Sequence, residues 1–504
     1  MLDFLNFDTL RVGVLAAYFG VLVLLALYGA HRYFIVYLYQ TYADGDDPEP
    51  MARFDEDQLP QVTVQLPLYN ERYVVERLIE AVCDLDYPRE KLQIQVLDDS
   101  TDDTTRIARE LVDEKRQQGI DIEVIHRENR TGYKAGALQE GLQSATGDFV
   151  AVFDADFVPQ PDFLRETIHH FTDPGLGMVQ ARWQFFNREY SLLTRAQAIL
   201  LDGHFVLEHT ARNRSGRFFN FNGTAGIWRR TAIEEAGGWE HDTLTEDLDL
   251  SYRAQLDGWN FRFLRDLAAP SELPVEMNAF KSQQHRWAKG SIQTAIKLLP
   301  RIFRSDLAFH RKLEAFYHLT ANVAYPLMVV LAVLMPLATL LRVHAGWYAA
   351  LLVDLPIFMG ATFSICYFYW VSQREIGKDP FETIKMIPAV LGLGIGVSVN
   401  NTKAVLEAFA GLESPFVRTP KYAIRQVGES WTSKLYIRKS TVMTAVELCL
   451  GLWFTGAIVI IVGFSPHGLA SLPFLALFQF GFLYVATLSI LHSFQRRTAE
   501  VRKS

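Results

Sequence analysis

A chain of 504 residues has room for more than one domain. Its formal net charge of −8 argues against a nucleic-acid partner, and no Cys/His spacing of the zinc-binding kind is present. Its three cysteines, Cys83, Cys366 and Cys449, lie far apart, which excludes a disulfide framework and leaves buried or lipid-facing thiols.

In chain order, residues 12–30 carry no charge, and a helix of that length spans about 28 Å, close to the hydrocarbon thickness of a bilayer. The run is long for a cleaved signal peptide and no small-residue cleavage site follows promptly, so a retained anchor is expected. From about residue 50 to 312 the chain is rich in charge and reads as a soluble enzyme domain. Strand patterns at 62–66, 92–97, 120–126 and 148–153 alternate with helical patterns such as 72–84, 104–118 and 134–144. That alternation predicts a mostly parallel sheet with helices on both faces, and such sheets bind ligands at the carboxyl ends of their strands.

Acidic residues stand at two of those ends. Asp98-Asp99-Ser100-Thr101 follows the second strand, where a carboxylate accepts hydrogen bonds from a nucleobase or ribose, or simply caps a turn or helix. Asp154-Ala155-Asp156 follows the fourth, and two carboxylates two residues apart can hold Mg²⁺ or Mn²⁺ and through it a diphosphate, although a lone Asp-x-Asp is often a solvated turn. Thr245-Glu246-Asp247 opens a helical run at 243–253, where Asp247 could take the proton of an attacking hydroxyl. The same triplet suits capping by Thr245, with Glu246 and Asp247 favouring the helix dipole. Further on, Gln283 and Trp287 share a helix face beside Arg286, offering a flat apolar surface and polar groups for a sugar, or else an amphipathic Trp packed beside a surface Arg.

Beyond the soluble region, 315–341 and 345–373 read as a hairpin of two membrane spans, the second carrying one charge, Asp354. Residues 448–495 contain no Asp, Glu, Lys or Arg, and Ser465-Pro466-His467-Gly468 divides them into two spans. The segment 386–402 is apolar but short, with Pro388, Gly392, Gly394 and Gly396. Arg and Lys crowd 418–439 and 496–503, which the positive-inside rule assigns to the cytoplasm. Five spans and an outside N-terminus satisfy that rule if 384–407 lies along the inner interface; a sixth span would put 418–439 outside.

Taken in order, Asp98/Asp99, Asp154/Asp156, Thr245-Glu246-Asp247 and Gln283/Arg286/Trp287 resemble the motifs of the family 2 glycosyltransferases, specifically their cellulose synthase-like membrane branch. Gly132-Tyr133-Lys134-Ala135-Gly136-Ala137-Leu138, Phe221-Asn222-Gly223-Thr224-Ala225-Gly226 and 283–290 look like the mannan and glucan backbone synthases of that branch. Phe416-Val417-Arg418-Thr419-Pro420-Lys421 resembles the branch's gating loop, Phe-x-Val-Thr-x-Lys, with Arg418 and Pro420 departing from it. The resemblance covers roughly 50–440.

This resemblance implies an α/β nucleotide-sugar-binding domain of the GT-A type inserted between transmembrane helices. The expected order is an anchor at 1–45, a cytoplasmic catalytic domain at 50–312, a transmembrane hairpin at 313–375, an interfacial helix with the gating-like loop at 380–440, and a second hairpin with a basic tail at 441–504. It implies an inverting transfer of hexose from UDP-glucose or GDP-mannose to a growing β-linked glycan, coupled to translocation; the alternative is a single transfer to a membrane lipid. Asp98 or Asp99, Lys134 and Asp154 would bind the donor, and Asp154 and Asp156 the Mg²⁺ or Mn²⁺. Asp247, beside Glu246, would be the catalytic base. Gln283, Arg286 and Trp287 would hold the acceptor, and Phe416, Thr419 and Lys421 would gate the site. The expected partners are a nucleotide sugar, a glycan acceptor and the bilayer of the inner (plasma) membrane.

Overall fold

The β-rich runs between residues 62 and 271 pair into one sheet in the computed structural model, which describes residues 7–342 except 44, together with 355–432, 434, 436, 442–464, 469 and 471–501. The strands are β1 (Val62–Leu68), β2 (Leu92–Asp98), β3 (Ile122–His126), β4 (Phe149–Val152), β5 (Leu176–Phe185), β6 (Gly226–Arg229) and β7 (Asn260–Ser271). Their order is β3-β2-β1-β4-β6-β5-β7, and among these strands only β6 runs antiparallel, against β4 and β5.

The expected strands form, with ends moved by a residue or two. β1 continues through Pro67, which stands in register with Leu97 of β2. A proline is tolerated in this central strand because β4 pairs only with Val62–Gln65, from Val62↔Phe149 to Gln65↔Val152, so at Pro67 that side of β1 needs no donor. The helices Val75–Cys83, Thr104–Gln117 and Tyr133–Ser144 follow the expected patterns; the first begins three residues late because Asn70 turns through a left-handed conformation (φ 57°).

Both faces of the sheet are covered. One core packs Val64, Leu66 and Val96 against Ile79, Val82 and Phe163, and the other packs Leu97 and Val150 against Leu138, Trp228 and Leu250. With β1, β2 and β4 parallel, their carboxyl ends share one edge, and Asp99 and Asp154 emerge there together.

Among the described residues, four helices are long and apolar enough to cross a membrane: Arg11–Tyr42, Phe309–Leu341, Val442–Gly463 and Leu472–Gln495. The first outruns the anchor expected at 12–30. Its distal half buries Ile35, Val36 and Leu38 against Val206, Leu207 and Phe280, so the helix is tied by apolar packing to the helices beside the sheet. In place of one interfacial helix at 384–407 stand Pro380–Gly396 and Ser398–Phe409, bent by 41°, a pair whose length and composition also fit a broken span or a re-entrant loop. Gly396 sits where a Cβ would lie 2.3 Å from the Gly481 carbonyl oxygen, so this helix packs backbone-close on Leu472–Val501. Asp354 and the rest of 343–354, the break at 465–468, Arg438, Lys439, Arg502 and Lys503 lie outside the described residues, as do the side chains of Arg496 and Arg497. Cys83 and Cys366 are partly buried free thiols and Cys449 is exposed on an apolar helix.

Candidate active site

At the carboxyl edge of the sheet a cavity of about 160 Å³ is lined by residues from widely separated parts of the chain. Asp99, Lys134, Asp154, Asp156, Glu246, Asp247, Gln283, Arg286, Trp287, Phe416, Thr419 and Lys421 all line it. Of the residues singled out in the sequence, Asp98 alone does not. Its carboxylate is buried and accepts hydrogen bonds from the Ser100 amide (3.0 Å), the Thr105 hydroxyl (2.6 Å) and the His126 ring (2.9 Å), which is the turn-forming role. Asp99 instead takes a two-pronged contact from the Arg127 guanidinium, Nε at 2.8 Å and Nη2 at 2.6 Å, and faces the cavity.

The two carboxylates after β4 are each met by an ammonium. Lys134, in the first turn of its helix, donates to Asp154 and, at 2.8 Å, to the Gly223 carbonyl. Lys421 donates to Asp156 at 2.5 Å. Burial works against the Lys134 cation, but Asp154 and Glu246, with Asp247, outweigh it and raise its pKa.

Asp247 begins the Glu246–Leu256 helix. Thr245 does not cap that helix through its side chain, contrary to the capping expectation; its hydroxyl lies 3.4 Å from that of Thr294 on the Met277–Arg304 helix. The Leu248 amide is instead satisfied by Asp247 Oδ1 at 2.8 Å. A Cβ on Gly223 would lie 2.9 Å from Asp247 Oδ2, so that oxygen abuts the Gly223 turn. Burial, then the adjacent Glu246 carboxylate, push the Asp247 carboxyl up to about 7, with Lys134 opposing. Burial likewise raises Glu246.

The Met277–Arg304 helix turns Gln283, Arg286 and the half-buried Trp287 toward the cavity. The Arg286 guanidinium lies 4.6 Å from the ring centroid of Phe416, which Arg130 also approaches at 5.7 Å and against which Tyr133 stacks at 5.6 Å. Arg418, a departure from the gating pattern, pairs with Glu71 at 3.0 Å and lies over Tyr436. Segment 416–421 is thus folded over the cavity by aromatic, cation–π and ionic contacts.

Sequence reading did not single out Tyr69, Glu71, Arg127, Arg130 or Glu272. Arg130 lies 3.3 Å from the ring centroid of Tyr69, and burial pushes Glu71 up to about 8 against the opposing charges of Arg418 and Lys421. The available signal was position: Glu71 closely follows β1, and Arg127 and Arg130 follow β3 at the same edge. Conversely, Glu240, Asp242 and Asp249 cluster tightly enough for a metal ion, but Lys297 places its ammonium 2.5, 2.8 and 3.0 Å from them. A lysine ammonium already sits among these three carboxylates, and the cluster does not line the cavity.

Residues 60–290 match the family described as "Glycosyltransferase like family 2". The chain is 47% identical over 264 residues to glucomannan 4-beta-mannosyltransferase 2 of Arabidopsis thaliana, covering 51% of this chain and 49% of that protein. It is 38% identical over 353 residues to glucomannan 4-beta-mannosyltransferase 7 of the same plant, covering 66% and 62%. To glucomannan 4-beta-mannosyltransferase 1 of Oryza sativa subsp. japonica it is 43% identical over 279 residues, covering 54% and 53%. The chain therefore spans only about half to three fifths of the length of these curated relatives. Its fold is similar to that of the mannosyltransferase PcManGT from Pyrobaculum calidifontis, solved with GDP-Man and Mn²⁺, with a TM-score of 0.52, 18% identity, and 80% of this chain and 99% of that one covered. The sheet, the ordered acidic motifs around one cavity and the matched domain agree: residues 60–290 are a family 2 glycosyltransferase domain with the GT-A fold.

Proposed function

We propose that the chain is an inverting β-mannosyltransferase that takes mannose from GDP-mannose and extends a β-1,4-linked glycan at the cytoplasmic face of a membrane. The observation that carries this reading is the meeting of Lys134, Asp154, Asp247 and Trp287 in one cavity, in a domain 38–47% identical to glucomannan mannosyltransferases. The relatives' names favour mannose over the glucose donor that the motifs alone left open.

Asp154 and Asp156 suit a divalent cation: they are hard oxygen donors on one turn, and each already draws an ammonium. They would hold Mg²⁺ or Mn²⁺, whose chemistry is to neutralise charge on a departing diphosphate. Lys134 adds positive charge beside the same carboxylate. Asp247 accepts the proton of the acceptor hydroxyl as that oxygen bonds to the anomeric carbon and the bond to the nucleoside diphosphate breaks. One displacement inverts the carbon and needs a base but no carboxylate nucleophile. Residues 416–421 cover the cavity and keep water from competing for the sugar.

The deciding experiment incubates purified protein in detergent with GDP-mannose or UDP-glucose and measures released GDP or UDP. GDP release with a product cut by a β-mannanase supports the reading; UDP release alone overturns it. A ladder of chain lengths fits extension, whereas a single sugar on lipid fits the alternative acceptor. Excess chelator is expected to remove activity, and Asp156→Ala to raise the Mn²⁺ concentration needed for half-maximal rate; full turnover in chelator would remove the metal from the scheme.

Trp287→Ala is expected to lower the transfer rate by about 10²-fold, the cost of misplacing a reacting group by about 1 Å, while leaving nucleotide affinity nearly unchanged. An indole face suits the C–H face of a pyranose, and Trp287→Phe should keep part of the rate. A large fall in melting temperature, or equal loss of nucleotide binding, would make Trp287 a packing residue.

For the membrane, a cytoplasmic catalytic domain and an outside N-terminus follow from the basic residues at 418–439. Cysteine introduced at Thr9 is expected to react with an impermeant reagent added outside, and cysteine at Ser430 to be protected. Labelling of residue 430 from outside would sink this topology.

A further inference from the structure

The loop that carries Gly223 is held from behind by two histidines. After the Leu192–Asp202 helix the chain forms a π-helical turn, Gly203–His209. In an α-helix, residues five apart point about 140° away from each other. The wider π turn, with its i→i+5 bonding, lets His204 and His209 meet, their ring centroids 4.3 Å apart. Both rings reach one side chain: Asn222 Nδ2 lies 3.1 Å from His204 Nε2, and Asn222 Oδ1 lies 2.6 Å from His209 Nε2.

The proton positions follow from the network. His204 Nδ1 stands 2.9 Å from the Glu208 carboxylate and must carry its proton there. Burial, then His209, Arg212 and Arg32, push the His204 pKa well below its ordinary value, so the ring is neutral and its Nε2 is bare. The Asn222 amide therefore donates to it. That fixes Oδ1 toward His209, which must donate from Nε2; burial first, then Arg212, lower the His209 pKa to about 3, against the opposing contacts with Asn222 and the Asn220 backbone. The chain of donors has one direction, from His209 through Asn222 and His204 to Glu208. Glu208 in turn pairs with Arg212 at 3.3 Å and with Arg32 of the first apolar helix.

What this fixes is the turn between the catalytic groups. Adjacent to Asn222, the Gly223 carbonyl receives Lys134 and its Cα abuts Asp247, while the Thr224 hydroxyl accepts the Asp154 amide at 2.8 Å. We propose that His204 and His209 are positioning residues for sugar transfer: they grip the two ends of the Asn222 amide, and so hold the Gly223–Thr224 turn that spaces Lys134, Asp154 and Asp247. Through Glu208 and Arg32 the same grip ties this spacing to the N-terminal helix.

The inference rests on the transferase reading, and the test separates the two. Full-length protein in detergent is assayed with GDP-mannose and Mn²⁺. His209→Phe keeps the ring's bulk and removes the donor; kcat is expected to fall by about 10²-fold, with the donor KM changed by less than about threefold. His209→Gln restores an N–H and is expected to recover at least about tenfold of that loss. Wild-type protein labelled with ¹⁵N-histidine should show one neutral ring protonated at Nδ1, lost in His204→Gln, and one at Nε2, lost in His209→Gln. This spectroscopic readout stands even if His209→Phe fails to fold. Equal loss of kcat in Phe and Gln, a kcat unchanged in Phe, or the same protonated nitrogen on both rings overturns the positioning role. A wild-type protein that transfers sugar from no nucleotide donor, yet shows the expected ¹⁵N pattern, overturns the transferase reading instead.

Discussion

Asp247→Asn should abolish nearly all sugar transfer, by about 10²–10⁴-fold, while leaving nucleotide binding and melting temperature close to those of the unchanged protein. A base acts in the transition state, so its loss falls on kcat. The fold should tolerate the change because the carboxylate is itself unfavourable: burial, then Glu246, raise its pKa to about 7. Asn keeps the shape, can still accept from the Leu248 amide, and removes a buried charge. The sign of the pH dependence follows. A base works only when deprotonated, so kcat/KM of the free enzyme should fall about tenfold per unit as pH drops below about 7 and level off above it. That acid limb should be missing from the residual activity of Asp247→Asn. Turnover within about threefold of the unchanged protein would exclude Asp247 as the base.

Gly223→Ala is expected to be almost as damaging, for a steric reason that the sequence does not reveal. Gly223 has φ of 79°, a conformation that L side chains rarely adopt. A Cβ there would lie 2.9 Å from Asp247 Oδ2 and 3.3 Å from Lys134 Nζ. Either the turn or the Asp247 carboxylate must move, and a shift of about 1 Å costs about 10²-fold in rate. Gly258→Ala supplies the control, since Gly258 also has a positive φ, 102°, but nothing lies within 4 Å of its added Cβ. Both variants carry the backbone strain, on the order of 1 kcal/mol, but only Gly223→Ala should lose kcat. Equal kinetic effects of the two would refute the steric argument.

Much of the catalytic domain was legible because its signals are local. β2 was readable from Leu-Gln-Ile-Gln-Val-Leu alone, and acidic residues at strand ends pointed to one edge of a parallel sheet. Where reading failed, non-local packing decided. The strand pattern at 62–66 stops short of Pro67, but β1 runs on through it because β4 stops pairing two residues before it. Thr245 looked like a cap, but Gly290 brings the Met277–Arg304 helix so close that the threonine faces Thr294. Asp98 and Asp99 are indistinguishable as neighbours in sequence. One step along a strand reverses the direction of a side chain, which leaves Asp98 among Ser100, Thr105 and His126 and turns Asp99 toward the cavity.

The sequence by itself determined the family, the order of acidic motifs, the alternating strand–helix pattern and the apolar segments, since each is written in a run of neighbouring residues. Only the tertiary structure decided which groups act on one another. Lys134 meets Asp154, Lys421 meets Asp156 across 265 positions, and the π turn joins His204 and His209 to Asn222. Such pairings depend on chain crossings and side-chain direction, to which no local propensity responds. For the same reason the raised pKa of Asp247 came only with the fold: a carboxyl is an ordinary acid in an open chain, and burial beside Glu246 lifts it to about 7.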